Sequence, residues 1–215
     1  MRKLFVFLLL FFLFAPAAAG TTVIIDPGHG SPDGGTVGLS GIPEKDYTMA
    51  IARDLDAFLG FMGIPRVLTR ETDSGVYDGD ALTIRQKKVS DLQNRLKLSL
   101  ETEDPVFLSI HMNASPVSSA AGFQIFYAPS EGSYALGEKM NAVFSSSLPR
   151  TRIRPLSPAP KAVFLMRKLS CPALLMEYGY LSNPGESAKL DRASYRKKLA
   201  FLTACGLYTY LTNEG

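Results

Sequence analysis

The apolar positions of this chain fall into two alternating patterns. "VIIDP" (23–27) opens with a short apolar run that reaches Asp26-Pro27, and reads as a fully buried strand. In "PEKDYTMAIARDLDAFLGFMG" the apolar residues Tyr47, Ile51, Leu55, Phe58, Leu59 and Met62 recur at helical spacing. Gly63 follows where a left-handed helix cap belongs. "PRVLTR" predicts a second strand, and Glu71 to Ala81, rich in Gly and Asp, predicts a loop. A second helix is expected over "LTIRQKKVSDLQNRLKLSLE", with Ile84, Val89, Leu92, Leu96 and Leu100 facing inward.

"PVFLSIH" and "GFQIFYA" are expected as the third and fourth strands. Residues 133–148 then form an amphipathic helix, "AVFLM" and "ALLMEY" read as two more strands, and Ser194 to Leu211 as a closing helix. Strands alternating with helices imply an α/β single domain: a mostly parallel twisted sheet of about six strands with helices on both faces. Ligands of such sheets bind beyond the carboxyl ends of the strands, which directs the search for chemistry to those ends.

The first residues change the picture of compartment. Arg2 and Lys3 precede an unbroken apolar run from Leu4 to Phe14, and Ala17 and Ala19 stand in the A-x-A arrangement of a signal-peptidase site. The run is short against the ~20 residues of a membrane span. Residues 1–19 are therefore expected to be a signal peptide, with an uncleaved anchor as the alternative. The domain at 20–215 would be exported to work outside the cytoplasm, with membrane contact only through an uncleaved N-terminal segment. Without Arg2 and Lys3, the excess of 23 basic over 20 acidic residues falls to +1. That balance speaks against nucleic acid as a partner. An oxidising compartment permits a disulfide between Cys171 and Cys205; their apolar settings favour a buried, unpaired pair.

The chain has two histidines, and both sit at expected strand ends: His29 in the glycine-lined "DPGHG" and His111 in "FLSIHMNAS". Glu177 lies near the end of the last strand. Taken singly, each is an ordinary polar residue at a strand end. Parallel strands would bring all three to one edge of the sheet. Two imidazoles at one edge suit zinc, which commonly takes two histidines and a carboxylate at catalytic sites and leaves one position open. Asp26, Asp33, Glu44 and Asp46 are the candidate third ligands. Asp26 suits ordering the turn or holding His29 from behind, and Glu44 suits the first turn of a helix. Neither a helical H-E-x-x-H nor a phosphate loop with a Lys-Ser/Thr is present.

Together, "VIIDPGHGSPDGG", "GIPEKDYTMAIA", "LTR", "SIHMNAS", "GFQIFY" and "PALLMEYGYLSNPGE" resemble the zinc-dependent N-acetylmuramoyl-L-alanine amidases of bacterial cell walls, the amidase_3 family. The likeness runs from about Val23 to the closing helix. It implies Zn2+ as cofactor, with His29, Glu44 and His111 as metal ligands and Glu177 as the catalytic residue. It also implies hydrolysis of the amide between the lactyl group of N-acetylmuramic acid and L-alanine of the peptidoglycan stem peptide. Substrate-binding residues stay unassigned; Arg70 and Arg85 match family positions but read equally well as structural, and Asn113 could help hold the loop or the glycan. Ser31-Pro32, Met112 and Tyr180 depart mildly from the family pattern without removing a chemical group.

The short stretch between His111 and Glu177 leaves no room for an autoinhibitory insert, and no appended wall-binding module is expected. "TRETDSGVYDGDALTIRQKKVSDLQNRLKL" further resembles amidases that act on spore peptidoglycan. That resemblance implies removal of stem peptides for muramic-lactam formation in the cortex, work in the cell wall or the intermembrane space of the forespore, and an activating or localising protein partner. A general wall-remodelling amidase and a non-catalytic peptidoglycan-binding module are the alternatives.

Overall fold

The computed structural model describes residues 20–213. The expected signal segment lies outside them. The chain runs β1 (Thr22–Pro27), α1 (Glu44–Phe61), β2 (Arg66–Leu68), α2 (Ile84–Glu101), β3 (Pro105–Asn113), β4 (Gln124–Tyr127), α3 (Ser133–Ser147), β5 (Ser157–Pro158), α4 (Phe164–Lys168), β6 (Ala173–Tyr180), α5 (Pro184–Leu190) and α6 (Ala193–Asn213). One six-stranded sheet has the order β2-β1-β3-β6-β4-β5. Its pairs are parallel except β4 with β6. The expected α/β architecture is the observed one.

Alternation along the strands assigns two cores. Val23, Ile25, Leu108, Ile110, Leu174 and Met176 point to the face covered by α1, α3 and α6. Ile24, Phe107 and Leu175 point to the other face, where Leu165 and Met166 of α4 pack. The odd-numbered positions of β3 and β6 share this second face, and His111 stands opposite Glu177 in the ladder. Gly63, at φ 71°, ends α1 as its spacing implied.

Two expectations need correction. "AVFLM" is not a strand: its centre forms α4, a single short helix laid across the second face. β6 already has β3 on one side and β4 on the other, so no strand edge beside it was open. The sheet face above Ile24, Phe107 and Leu175 still needed an apolar cover, and a helical turn supplies it. A short apolar run carries no period that separates these outcomes.

The helix α2 forms as expected, opened by a reciprocal Thr83–Gln86 capping box. Its inward face is a different one. Ile84, Val89 and Leu100 are 70, 49 and 67% exposed, while Ser90, Arg95 and Ser99 are buried. Leu92 and Leu96 pack at the margin of the second core. The ridge Asp91–Arg95–Ser99, at four-residue spacing, faces inward because polar groups wait there, as the functional site explains. Two elements went unread: the two-residue β5, and α5, capped by the Asn183 side chain with Pro184 at its first position. Both cysteines are free, Cys171 buried and Cys205 half-buried.

The two kinds of leucine should behave differently. Leu55→Ala, in the wholly buried face of α1, should cost ~2–5 kcal/mol. Leu100→Gln should change stability by no more than about 0.5 kcal/mol. Urea unfolding of both variants measures this; a large loss in Leu100→Gln would restore the apolar inner face for α2.

Candidate metal centre

β1 ends at Pro27, and the chain turns through Gly28 to His29. Gly28 donates its N–H to the Ile110 carbonyl of β3 at 3.0 Å, so the turn continues the ladder by one residue. A Cβ on Gly28 would stand 2.3 Å from the His111 ring, so only glycine lets that imidazole lie against the turn. His29 itself has φ 63°, a left-handed conformation that costs a residue with a Cβ about 1–3 kcal/mol and points to a surrounding that imposes it.

Glu44, the first residue of α1, is buried and reaches the site from the first face of the sheet. Its Oε1 lies 3.0 Å from His111 Nδ1 and accepts the Met112 N–H at 2.9 Å. Its Oε2 lies 3.2 Å from His29 Nε2 and accepts the Thr36 N–H at 3.0 Å. The two imidazoles meet edge to face, with ring centroids 4.9 Å apart. One ligand atom from each of His29, Glu44 and His111 lies within 4.8 Å of the others. Burial alone would raise the Glu44 carboxyl; hydrogen bonds to His111 and His29, and their charge, outweigh it and hold the group well below the usual carboxylate range. Burial also lowers His111, but Glu44 raises it further, above the ordinary imidazole value.

This donor set fits a divalent metal of zinc's kind. It has two imidazole nitrogens and one carboxylate that is ionised, converging from three separate segments. His29 presents Nε2 toward Glu44 while its Nδ1 faces Asp33 Oδ1 at 3.2 Å. Asp33 is thereby fixed in a different role from that of a ligand: it orients His29, and is itself held by the Gly35 N–H and by Lys88. Asp46 points away from the cluster and pairs with Lys45.

Glu177 sits beside His111 on β6. Its Oε2 is buried without a hydrogen-bond partner. Burial pushes its carboxyl up to about 7 against the pull of His111, with Glu44 adding to the rise and His29 opposing it. A partnerless acid with a displaced pKa beside two imidazoles is suited to proton transfer. A cleft of about 200 Å³ opens next to His29 and His111, with Leu92, Phe164 and Leu165 among its walls.

Asp26 is buried behind the site, bonded to Arg95, Thr69 and Ser109 rather than to His29. Arg70 is buried too, its guanidinium donating to the carbonyls of Pro27, Gly28 and Lys45, a structural brace for the turn. Arg85 is exposed. Asn113 accepts the Ala114 N–H and sits at the end of β3. Arg95 went unread as a site residue. Its signals were the charge four residues after Asp91 and its place in "DLQNRLKL", a stretch read for its likeness to spore-type amidases and not for a role at the site.

The family described as N-acetylmuramoyl-L-alanine amidase matches residues 23–208. The germination-specific N-acetylmuramoyl-L-alanine amidase of Bacillus subtilis is 34% identical over 199 residues, covering 92% of this chain and 82% of that protein. Among solved structures, the CwlD amidase of Clostridioides difficile, in complex with the GerS lipoprotein, is similar with a TM-score of 0.84 at 30% identity, covering 90% of this chain and 99% of that one. The amidase AmiC2 of Nostoc punctiforme is similar with a TM-score of 0.76 at 29% identity, over 90% of this chain and 97% of that one.

The purified protein should carry about one zinc per chain. His29→Ala and His111→Ala should each retain far less under the same dialysis, measured by elemental analysis on folded protein. Equal zinc in both variants and the parent would remove these residues from the ligand set.

Proposed function

The chain belongs to the N-acetylmuramoyl-L-alanine amidase family, and we propose that it cleaves the lactyl–L-alanine amide of peptidoglycan as a zinc enzyme. In this reading His29, Glu44 and His111 hold the ion and Glu177 moves the proton. The observation that carries it is Glu177, half-buried with its Oε2 buried and without a hydrogen-bond partner, beside the three converging donors.

A zinc ion held there would polarise the amide carbonyl and make water a competent nucleophile near neutral pH. Glu177 takes a proton from the attacking water and returns it to the amine nitrogen as the C–N bond breaks. The lactyl group leaves as a carboxylate and the stem peptide with a free amino terminus. The raised pKa of Glu177 serves both halves of this transfer, since the group must accept and then donate within one turnover. Asp33 holds the His29 ring, and the Met112 and Thr36 N–H groups hold the Glu44 carboxylate, so neither ligand has to reorganise. The apolar wall of Leu92, Phe164 and Leu165 excludes water from one side of the reacting bond.

Action on peptidoglycan puts the work of this protein outside the cytoplasm. Residues 1–19 are read as a cleaved signal and 20–215 as the catalytic domain. The finer reading is cortex maturation in spores, where stem peptides are removed so that muramic lactam forms. It is supported by the identity with the germination-specific relative and by the "DLQNRLKL" stretch. The complex of the CwlD neighbour with a lipoprotein supports a protein partner for this chain as well.

Glu177→Gln is nearly isosteric and should keep fold and zinc. Its kcat on muropeptides should fall by at least ~10²-fold with KM altered far less. Mass analysis of the products, with zinc content verified, measures this. Near-wild-type kcat at full zinc occupancy would assign the proton transfer to another group. For the biological role, cortex from spores formed without this protein should lack muramic lactam, and the exported protein should begin near Gly20 by intact mass. Normal lactam content would return the reading to a general wall amidase, and a membrane-bound species retaining Met1 would favour the anchor.

A further inference from the structure

We propose that Arg95 is a positioning residue for the metal centre: its buried guanidinium holds the main chain of His29 in the conformation that presents the imidazole to Glu44 and His111. The proposal rests on reading that cluster as a metal site.

His29 is not a glycine, yet its φ is 63°. A residue with a Cβ stays in the left-handed region only where its neighbours over-determine it. The neighbour here is Arg95 of α2. Its Nη2 donates to the His29 carbonyl at 2.6 Å, and its Nη1 donates to the Pro27 carbonyl at 2.9 Å. The carbonyl between them, that of Gly28, is taken by Thr48 at 2.8 Å. Three successive carbonyls of the turn are therefore pinned from inside the protein: Arg70 also reaches those of Pro27 and Gly28, and it is Arg95 that holds the His29 carbonyl itself.

The clamp is itself held by two carboxylates. Nη1 pairs with Asp26 at 2.5 Å, Nε donates to Asp91 at 2.7 Å, and Arg95 is 2% exposed. Burial would lower its pKa, but Asp26 and Asp91 raise it above the ordinary value, so the charge stays on. Only a planar fork meets this set of acceptors at once; an ammonium is a single point and cannot span Pro27, His29 and Asp91 together. This also explains why α2 turns a polar ridge inward and leaves leucines at its margin.

A purely structural arginine would affect stability alone. A positioning one sets metal affinity and ligand geometry in protein that is still folded. The experiment compares the parent with Arg95→Lys and with Asp91→Asn, which keeps an acceptor for the Val76 N–H but loosens the guanidinium. Zinc affinity is measured by competition with a chromophoric chelator, and the visible spectrum of the cobalt-substituted protein reports ligand geometry. Circular dichroism and melting of the metal-free protein are recorded separately. Zinc binding should weaken ~10–100-fold in Arg95→Lys, with altered cobalt bands, and by a smaller factor in Asp91→Asn. Wild-type zinc affinity and cobalt spectrum in a folded Arg95→Lys overturn the proposal. If that variant does not fold, the same result in Asp91→Asn overturns it. A parent protein that binds no zinc at all sinks the metal-centre reading, and this one with it.

Discussion

Arg95 carries a permanent charge into a place where only 2% of it meets solvent, and much of the surrounding architecture answers that charge. Asp26 at the end of β1 and Asp91 on α2 flank it, while Thr69 and Ser109 complete the bonding of Asp26 from β2's end and β3. A buried ion pair of this kind contributes little net stability, because desolvating both partners offsets their attraction. Its contribution is specification. With one charge on a helix and the other on a strand, α2 has a single rotation and β1 a single register that leave neither charge alone. The apolar residues of α2 could have been buried in more than one way, and the guanidinium has only one.

The sheet and the site are linked by the same geometry. Parallel β1, β3 and β6 deliver His29, His111 and Glu177 to one edge, and the ladder sets His111 directly opposite Glu177. Glu44 comes from the other face, at the start of a helix whose dipole favours a carboxylate in its first turn. The three donors therefore owe their convergence to strand order and to one helix start. The candidate site is a property of the sheet's topology, with the loops after the strands finishing the work.

Much of this was legible from residues alone. Strands such as "VIIDP" and "PVFLSIH" open on consecutive apolar residues because both their faces are covered, and that pattern is hard to mistake. The two histidines stood out because the chain has no others and both end strands. Glu44 could be named as one of four acids, but only the motif resemblance separated it from Asp26, Asp33 and Asp46. What stayed hidden depended on partners distant in sequence. "AVFLM" reads as a strand until the sheet is seen to have no free edge beside it. Leu100 and Val89 read as inward until Arg95 is seen to take the place they would have filled. Asp33 looks like a ligand until His29 turns its other nitrogen toward it.

The distribution of the three donors along the chain has a kinetic side. His29 and Glu44 are 15 residues apart in the segment that joins β1 to α1, whereas His111 reaches them only after β3 has paired with β1 across the whole of α1, β2 and α2. That closure is a long-range event and belongs to the slower part of folding. Two donors without the third make an incomplete site for a metal. Capture of a metal by all three donors would therefore follow assembly of the sheet, at the end of maturation rather than as a seed for it.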